Sequence, residues 1–136
     1  MVLLYGDNPP AGEPTLELLR RPLPADAKAV DAACAIVSTA LERWGWESTV
    51  DDVSGCLTAV LRAVTEVEPD TVELFAYRRA HQLNVELHFT GHGARFHQML
   101  GHDPRLAMID SMAPLWGVRP LGDGEAVWFE FHSEPA

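Results

Sequence analysis

The chain contains few cysteines and few basic residues. Its 136 residues include only two cysteines, Cys34 and Cys56, which show neither a CxxC motif nor a zinc-ligand spacing. We therefore expect two buried, reduced thiols, as is usual in cytosolic proteins. Ten Lys and Arg residues stand against 20 Asp and Glu residues, for a formal net charge of −10. Such a surface repels phosphate backbones, which argues against direct binding of DNA or RNA and is compatible with a basic protein partner.

Long apolar runs are also missing. No run approaches the roughly 20 residues that are needed to cross a bilayer, and the N-terminus lacks a basic segment followed by an apolar one. We therefore expect a cytoplasmic protein that does not contact a membrane. A hydrophobic fraction of 47% is typical of globular proteins, and a length of 136 residues is suitable for one domain.

The residues that are present indicate a short arm followed by one domain. Gly, Pro, Asp and Asn are concentrated in residues 6–14, which predicts a flexible N-terminal arm over residues 1–14. A single domain is expected over residues 15–136, and it begins with a short edge strand at residues 16–20. Pro22 is expected to end that strand, because proline supplies no amide hydrogen to a sheet.

Two amphipathic helices are predicted next, because apolar residues recur at helical spacing. Asp26 is expected to cap the first helix and Gly45 to end it. Residues 48–52 resemble a capping box for the second helix, which Pro69 brings to an end. The predicted apolar stripes are Val30, Cys34, Val37, Leu41 and Trp44 in the first helix, and Val53, Leu57, Val60, Val64 and Val67 in the second.

Two predicted hairpins account for most of the sheet. In residues 71–77 and 84–89, apolar side chains alternate with polar ones, as in half-buried strands. A Gly-rich loop or lid over residues 91–102 and a third helix over residues 104–116 precede a second hairpin, which closes with residues 126–131. This order predicts an α+β two-layer sandwich, with three helices on one face of a mixed, mostly antiparallel sheet. Val72, Leu74, Ala76, Val85, Leu87 and Phe89 are expected to face the core, and Asn84, Glu86 and His88 to face outward.

Four short segments match, in order and spacing, a pattern found in one family. They are Leu23–Ala25 and Trp44–Gly45 near the start, and Trp116–Pro120 (WGVRP) and Val127–Glu130 (VWFE) near the end. Over residues 15–131 the chain thereby resembles the histidine-kinase-like ATPase (GHKL) superfamily, in particular anti-sigma-factor serine kinases and related actinobacterial ATP-binding regulators. The resemblance implies a Bergerat-type ATP-binding fold.

The resemblance also implies where a nucleotide would bind, and this chain lacks the expected side chains there. In the family, the second helix presents a Glu that acts as a base and, one turn later, an Asn that helps to hold magnesium. Thr58 keeps the flanking pattern, and the two positions then fall on Gly55 and Ala59. Glycines that approach the phosphates ahead of the third helix are replaced by Asp103 and Arg105, so that an acidic side chain lies where a triphosphate would bind.

The adenine side of the implied pocket is altered as well. A family Asp-x-Gly-x-Gly motif, whose carboxylate accepts a hydrogen bond from adenine, here begins with Phe89 and keeps Gly91 and Gly93. Phenylalanine cannot accept that bond, although the two glycines preserve the backbone bend. A family Thr in the last strand corresponds to Ala126. The implied nucleotide-binding positions are therefore vestigial, and no catalytic or metal-binding residue is assigned.

These replacements predict a pseudo-ATPase, since catalysis by this fold depends on positioned charge and metal. We expect a regulatory protein-binding domain that resembles an anti-sigma factor, needs no cofactor, and binds a sigma factor or an antagonist of one. One alternative is an active serine kinase that uses ATP and magnesium, although no Asn lies between Asp51 and Asp70. A second alternative is a small-ligand sensor in which Phe89 stacks on a base. Family relatives often dimerise, so the resemblance also leaves a homodimer open.

A histidine-rich stretch is a candidate metal site. His88, His92, His97 and His102 lie within 15 residues, but their spacing is not that of a zinc site and no Cys is nearby. Solvated lid histidines are therefore the expected interpretation, with a metal site as the alternative.

Overall fold

The structure, a computed structural model, describes residues 2–4, 17–91 and 103–132. Six strands in these ranges form one sheet, with the order β1-β5-β6-β4-β3-β2. They are β1 (Val2–Leu4), β2 (Glu17–Leu23), β3 (Thr71–Arg79), β4 (Gln82–Thr90), β5 (Leu115–Leu121) and β6 (Gly124–His132). Neighbouring strands are antiparallel, except that β1 pairs with β5 in parallel. The sheet is therefore mixed and mostly antiparallel, as predicted.

The helices pack against the apolar face of this sheet. They are α1 (Ala29–Trp44), α2 (Val50–Thr65) and the short α3 (Ile109–Met112), and 3-10 turns at Glu47–Thr49 and Leu106–Met108 precede α2 and α3. The core includes Val37 and Leu41 of α1, Leu57 and Val60 of α2, and Phe129 of β6. The predicted α+β fold, with three helices on one side of a mixed sheet, is confirmed.

The side chains of β3 and β4 face the two sides of the sheet as the alternation of apolar and polar residues predicts. Val72, Leu74 and Ala76 of β3 and Val85, Leu87 and Phe89 of β4 are all buried in the core. Both hairpins turn through two residues, because Arg79 pairs with Gln82 and Leu121 pairs with Gly124. Asn84 and Glu86 lie on the opposite face, as expected, but they are buried rather than solvated.

The predicted third helix over residues 104–116 is wrong in length. The helix ends at Met112, and Ala113 has extended backbone angles of φ −107° and ψ 126°. Pro114 explains this end, because a proline disfavours helical geometry at the residue before it. Trp116 consequently lies on β5, where its ring centroid is 6.3 Å from that of Phe129.

The two helix starts also differ in detail from the prediction. The predicted capping box of α2 is wrong, because Thr49 forms no side-chain capping hydrogen bond and belongs to the preceding 3-10 turn. At α1, Asp26 organises the turn before the helix instead of capping it directly: its Oδ1 accepts a hydrogen bond from the Lys28 amide at 2.9 Å. The predicted end at Gly45 is confirmed, with a left-handed φ of 79°.

The edges of the sheet extend further than the sequence pattern indicates. The predicted arm over residues 1–14 is wrong at residues 2–4, which form β1, and β2 continues through Pro22 to Leu23. Residues 5–16 and the greater part of the predicted lid, 92–102, lie outside the described residues. Among the helices in the described ranges, none is long and apolar enough to cross a bilayer.

Candidate functional site

The implied pocket would lie where α2 faces residues 103–113, and apolar side chains fill this contact. A Cβ added at Gly55 would overlap Sδ of Met112, so no larger residue can occupy position 55 while that thioether stays where it is. Leu106 and Ile109 are buried beside it in the core. The glycine at position 55 is thus explained by packing, because it leaves space for the Met112 side chain.

A charged network joins the same two parts of the chain. Arg105 donates to both carboxylate oxygens of Glu66, at 2.8 Å each, and its Nε and Nη2 donate to Asp103 at 3.0 and 2.6 Å. The backbone amide of Arg105 donates to Asp103 Oδ1 at 3.0 Å. The hydrogen bonds from Arg105 lower the pKa of both carboxyl groups, and the two carboxylates raise the pKa of Arg105. One cation between two anions leaves a net negative charge, which disfavours a phosphate here.

Three further implied positions are either part of the core or constrained by close packing. Phe89 is 1% exposed and Ala59 is 8% exposed, and both belong to the hydrophobic core. Gly91 has a φ of 123°, and a Cβ added there would lie 2.7 Å from the backbone nitrogen of Asp70. Only glycine tolerates this combination of backbone angle and close approach. Gly93 lies outside the described residues.

Two of the remaining implied positions are not brought to this contact. The hydroxyl of Thr58 lies 3.7 Å from Sγ of Cys34, so this side chain faces α1 rather than residues 103–113. Ala126 pairs with His88 and Arg119 on the sheet face opposite the helices. The nine implied positions therefore do not all line one cavity in the part of the chain that the structure describes.

A polar network on that opposite face was not predicted. Oε1 of Glu86 accepts hydrogen bonds from Arg119 at 2.6 Å and from His88 at 2.9 Å, and Oε2 accepts one from the Tyr77 hydroxyl at 3.1 Å. Burial alone would raise the pKa of Glu86, which is 4% exposed, but the hydrogen bonds from His88 and Arg119 hold it below its ordinary value. The alternation of apolar and polar residues predicts which side chains lie on this face of the sheet. It does not predict that they are buried, because burial depends on residues that are distant in the sequence.

The same face carries a second, smaller network of polar side chains. Gln82 donates to Oε1 of Glu130 at 2.9 Å, and Oε2 of Glu130 lies 2.8 Å from Nε2 of His132. Buried Asn84 pairs with Glu130 across the two strands. Among the residues that the structure describes, no group of three His, Cys, Asp or Glu side chains could hold a metal ion. His92, His97 and His102 lie outside those residues.

No protein-family model matches the sequence, and no curated protein matches it either. The residues of the site are therefore the basis for inferring what chemistry it can carry out. Gly55 and Ala59 carry no group that could coordinate magnesium or accept a proton, and Arg105 is already paired with Glu66 and Asp103. The contact between α2 and residues 103–113 is closely packed and carries a net negative charge.

Proposed function

We propose that this chain is a regulatory protein-binding domain that resembles an anti-sigma factor and neither binds nor hydrolyses ATP. The observation that carries the proposal is the position of Met112 against Gly55. A pocket of the GHKL kind would need a carboxylate at that point of α2, together with open space for phosphates and magnesium. Here an apolar thioether occupies the adjacent volume.

Electrostatics support the same proposal. A triphosphate needs uncompensated cations or a metal, because its own charge must be balanced in the site. Arg105 is bonded to Glu66 and Asp103, and each of these carboxylates would repel the phosphates. Phe89 adds a third obstacle, since it is packed in the core and its ring cannot accept a hydrogen bond from adenine.

The proposed partner is another protein, such as a sigma factor or an antagonist of one, and no cofactor takes part. A net charge of −10 favours association with basic surfaces through long-range attraction. Both cysteines are free, which supports a reducing, cytoplasmic setting.

Calorimetric titration with Mg-ATP tests the loss of nucleotide binding. We expect no saturable heat of binding with millimolar nucleotide, which corresponds to a free energy weaker than about −4 kcal/mol. A matched titration of the Gly55→Glu/Ala59→Asn variant, checked for folding by circular dichroism, serves as a control for the register of α2. Micromolar binding of Mg-ATP to the natural chain would overturn the proposal.

Incubation with labelled ATP and a candidate sigma-factor antagonist tests the loss of kinase activity. We expect no transfer of label to serine, together with a complex between the unlabelled proteins that forms equally well without nucleotide. ATP-dependent labelling of the antagonist would contradict the proposal directly.

A further inference from the structure

A groove of about 460 Å³ lies between the edge strand β2 and the exposed side of α1. Leu18, Ile36 and Trp44 contribute apolar surface to it, and Arg21 and Arg43 contribute positive charge. We propose that this groove binds an acidic, extended segment of a partner protein, which adds as a further strand to β2. The inference rests on the proposed function as a protein-binding domain and names the surface and the chemistry of the partner.

The charge of the groove is unusual for this chain. Acidic residues outnumber basic ones two to one over the whole sequence, yet among the described residues Arg21 and Arg43 are the only ionisable side chains that line the groove. Neither guanidinium forms an ion pair with a described residue; Arg21 donates only to the backbone carbonyl of Arg20, at 2.9 Å. Two exposed arginines that have no carboxylate partner in the described part of the chain are suited to carboxylates supplied by another chain.

Trp44 provides an independent observation. It lines the groove, its side chain is 8% exposed, and its buried indole Nε1 has no hydrogen-bond acceptor. A buried donor without an acceptor is unfavourable, so the native surroundings of such a group usually supply one. Trp44 thus lacks an acceptor among the described residues that line the groove.

The backbone of β2 is the third feature of the proposed binding site. Among the described strands, β2 pairs with β3 only, so its other edge carries unpaired amide and carbonyl groups. Such an edge is a template for an added strand. Leu18, which is 65% exposed at this edge, would pack against an apolar side chain of the added strand.

The same features favour an acidic partner over a second copy of this chain. Two copies that paired edge to edge about a two-fold axis would bring Arg20 and Arg21 of both copies close together. Like charges opposite one another on paired strands are destabilising. An acidic strand in the same place would instead pair with Arg21.

Fluorescence anisotropy with synthetic peptides tests the inference. The probes are seven-residue peptides, the length of β2, that alternate Glu with Val, and a matched set that alternates Lys with Val. We expect the Glu-Val peptide to bind at least about tenfold more tightly than the Lys-Val peptide at low salt, and this preference to decline as salt is added. A Glu-Val peptide with N-methylated valines should bind weakly, because it cannot complete the strand hydrogen bonds.

Two charge-matched variants locate the site. Arg21→Glu/Arg43→Glu should weaken the binding of the Glu-Val peptide at least about tenfold. Lys28→Glu/Arg62→Glu, which changes the net charge equally on exposed residues outside the groove, should change it by no more than about twofold. Circular dichroism melts of both variants verify that each is folded.

Other outcomes would overturn the inference. Equal loss of binding in both variants would show only a general charge effect, and undiminished binding of the N-methylated peptide would exclude strand addition. A dimer of the natural chain that Arg21→Glu/Arg43→Glu dissociates would assign the groove to a second copy. None of these measurements involves nucleotide, so their failure leaves the ATP-independent proposal intact, whereas Mg-ATP binding would overturn that proposal without changing the peptide result.

Discussion

At the scale of single residues, the contact between Gly55 and Met112 links packing to function. Glycine in the middle of a helix is unfavourable by itself, so its presence in α2 needs a compensating reason. The thioether of Met112 supplies it, because the side chain occupies the space that a Cβ would take. The absence of a carboxylate at position 55 and the filled space beside it then follow from one packing arrangement.

A double-mutant cycle tests this contact. Replacing glycine by alanine in a helix stabilises it by about 1 kcal/mol. In the natural background we expect Gly55→Ala to give less than this, because Met112 must move aside. In the Met112→Ala background the full gain should appear, with a coupling of at least about 0.5 kcal/mol in urea denaturation. Equal effects in both backgrounds would show that Met112 does not occupy this space.

The two cysteines differ in their surroundings and should differ in reactivity. Burial raises the pKa of Cys56 to about 12, and the thiolate is the reactive form. Cys34 is only half-buried, with its Sγ near Thr58. A disulfide reagent such as DTNB should therefore modify one thiol per folded chain quickly and the second only after unfolding. A Cys34→Ser variant should lose the rapid phase; two fast thiols in the natural chain would contradict the structure.

At the scale of elements, local patterns account for α1, α2 and the strands of the first hairpin, whereas the predicted length of the helix after residue 102 is wrong. Apolar spacing and Gly45 were sufficient for α1, and alternation was sufficient for β3 and β4. For α3, the helical spacing of apolar residues continued past Pro114, although the proline and the stacking of Trp116 on Phe129 place those residues in β5.

The network across β3, β4 and β5 should contribute to holding these strands together. Glu86→Gln removes the charge that Arg119 and His88 contact, and it leaves a half-buried guanidinium without its anion. We expect a loss of about 2 kcal/mol in the free energy of unfolding. The control is Glu73→Gln, which removes the exposed pair with Arg20 and should cost less than about 1 kcal/mol. Equal losses would show that burial adds nothing to the Glu86 network.

At the scale of the whole molecule, the two faces of the sheet differ in the polarity of their side chains. Its helix-facing side carries the apolar core, and its other side carries the buried polar groups around Glu86 and Glu130. The implied nucleotide site would have lain on the first side, and the proposed peptide groove lies at the β2 edge. The proposed binding function therefore does not require the implied pocket to be open.

The buried carboxylate also makes stability depend on pH. Hydrogen bonds from His88 and Arg119 lower the pKa of Glu86 in the folded chain below its ordinary value of 4.5. The unfolded chain then binds the proton more readily, so the contribution of Glu86 to stability is present above that value and is lost as pH falls through the folded pKa. Urea denaturation on both sides of pH 4.5 should show this decline, and Glu86→Gln should show a smaller one. An identical decline in both proteins would assign it to other groups.

The sequence by itself determined the features that depend on near neighbours along the chain: the two long helices and the alternation of β3 and β4. It also identified the absence of metal ligands and bases at Gly55 and Ala59, because that absence is a matter of residue type. Only the tertiary structure decided that Met112 packs on Gly55, that Glu86 is buried, and that residues 2–4 pair with β5. Each of these joins residues far apart in the chain, and the free energy of such contacts depends on packing and strand register that local spacing does not encode.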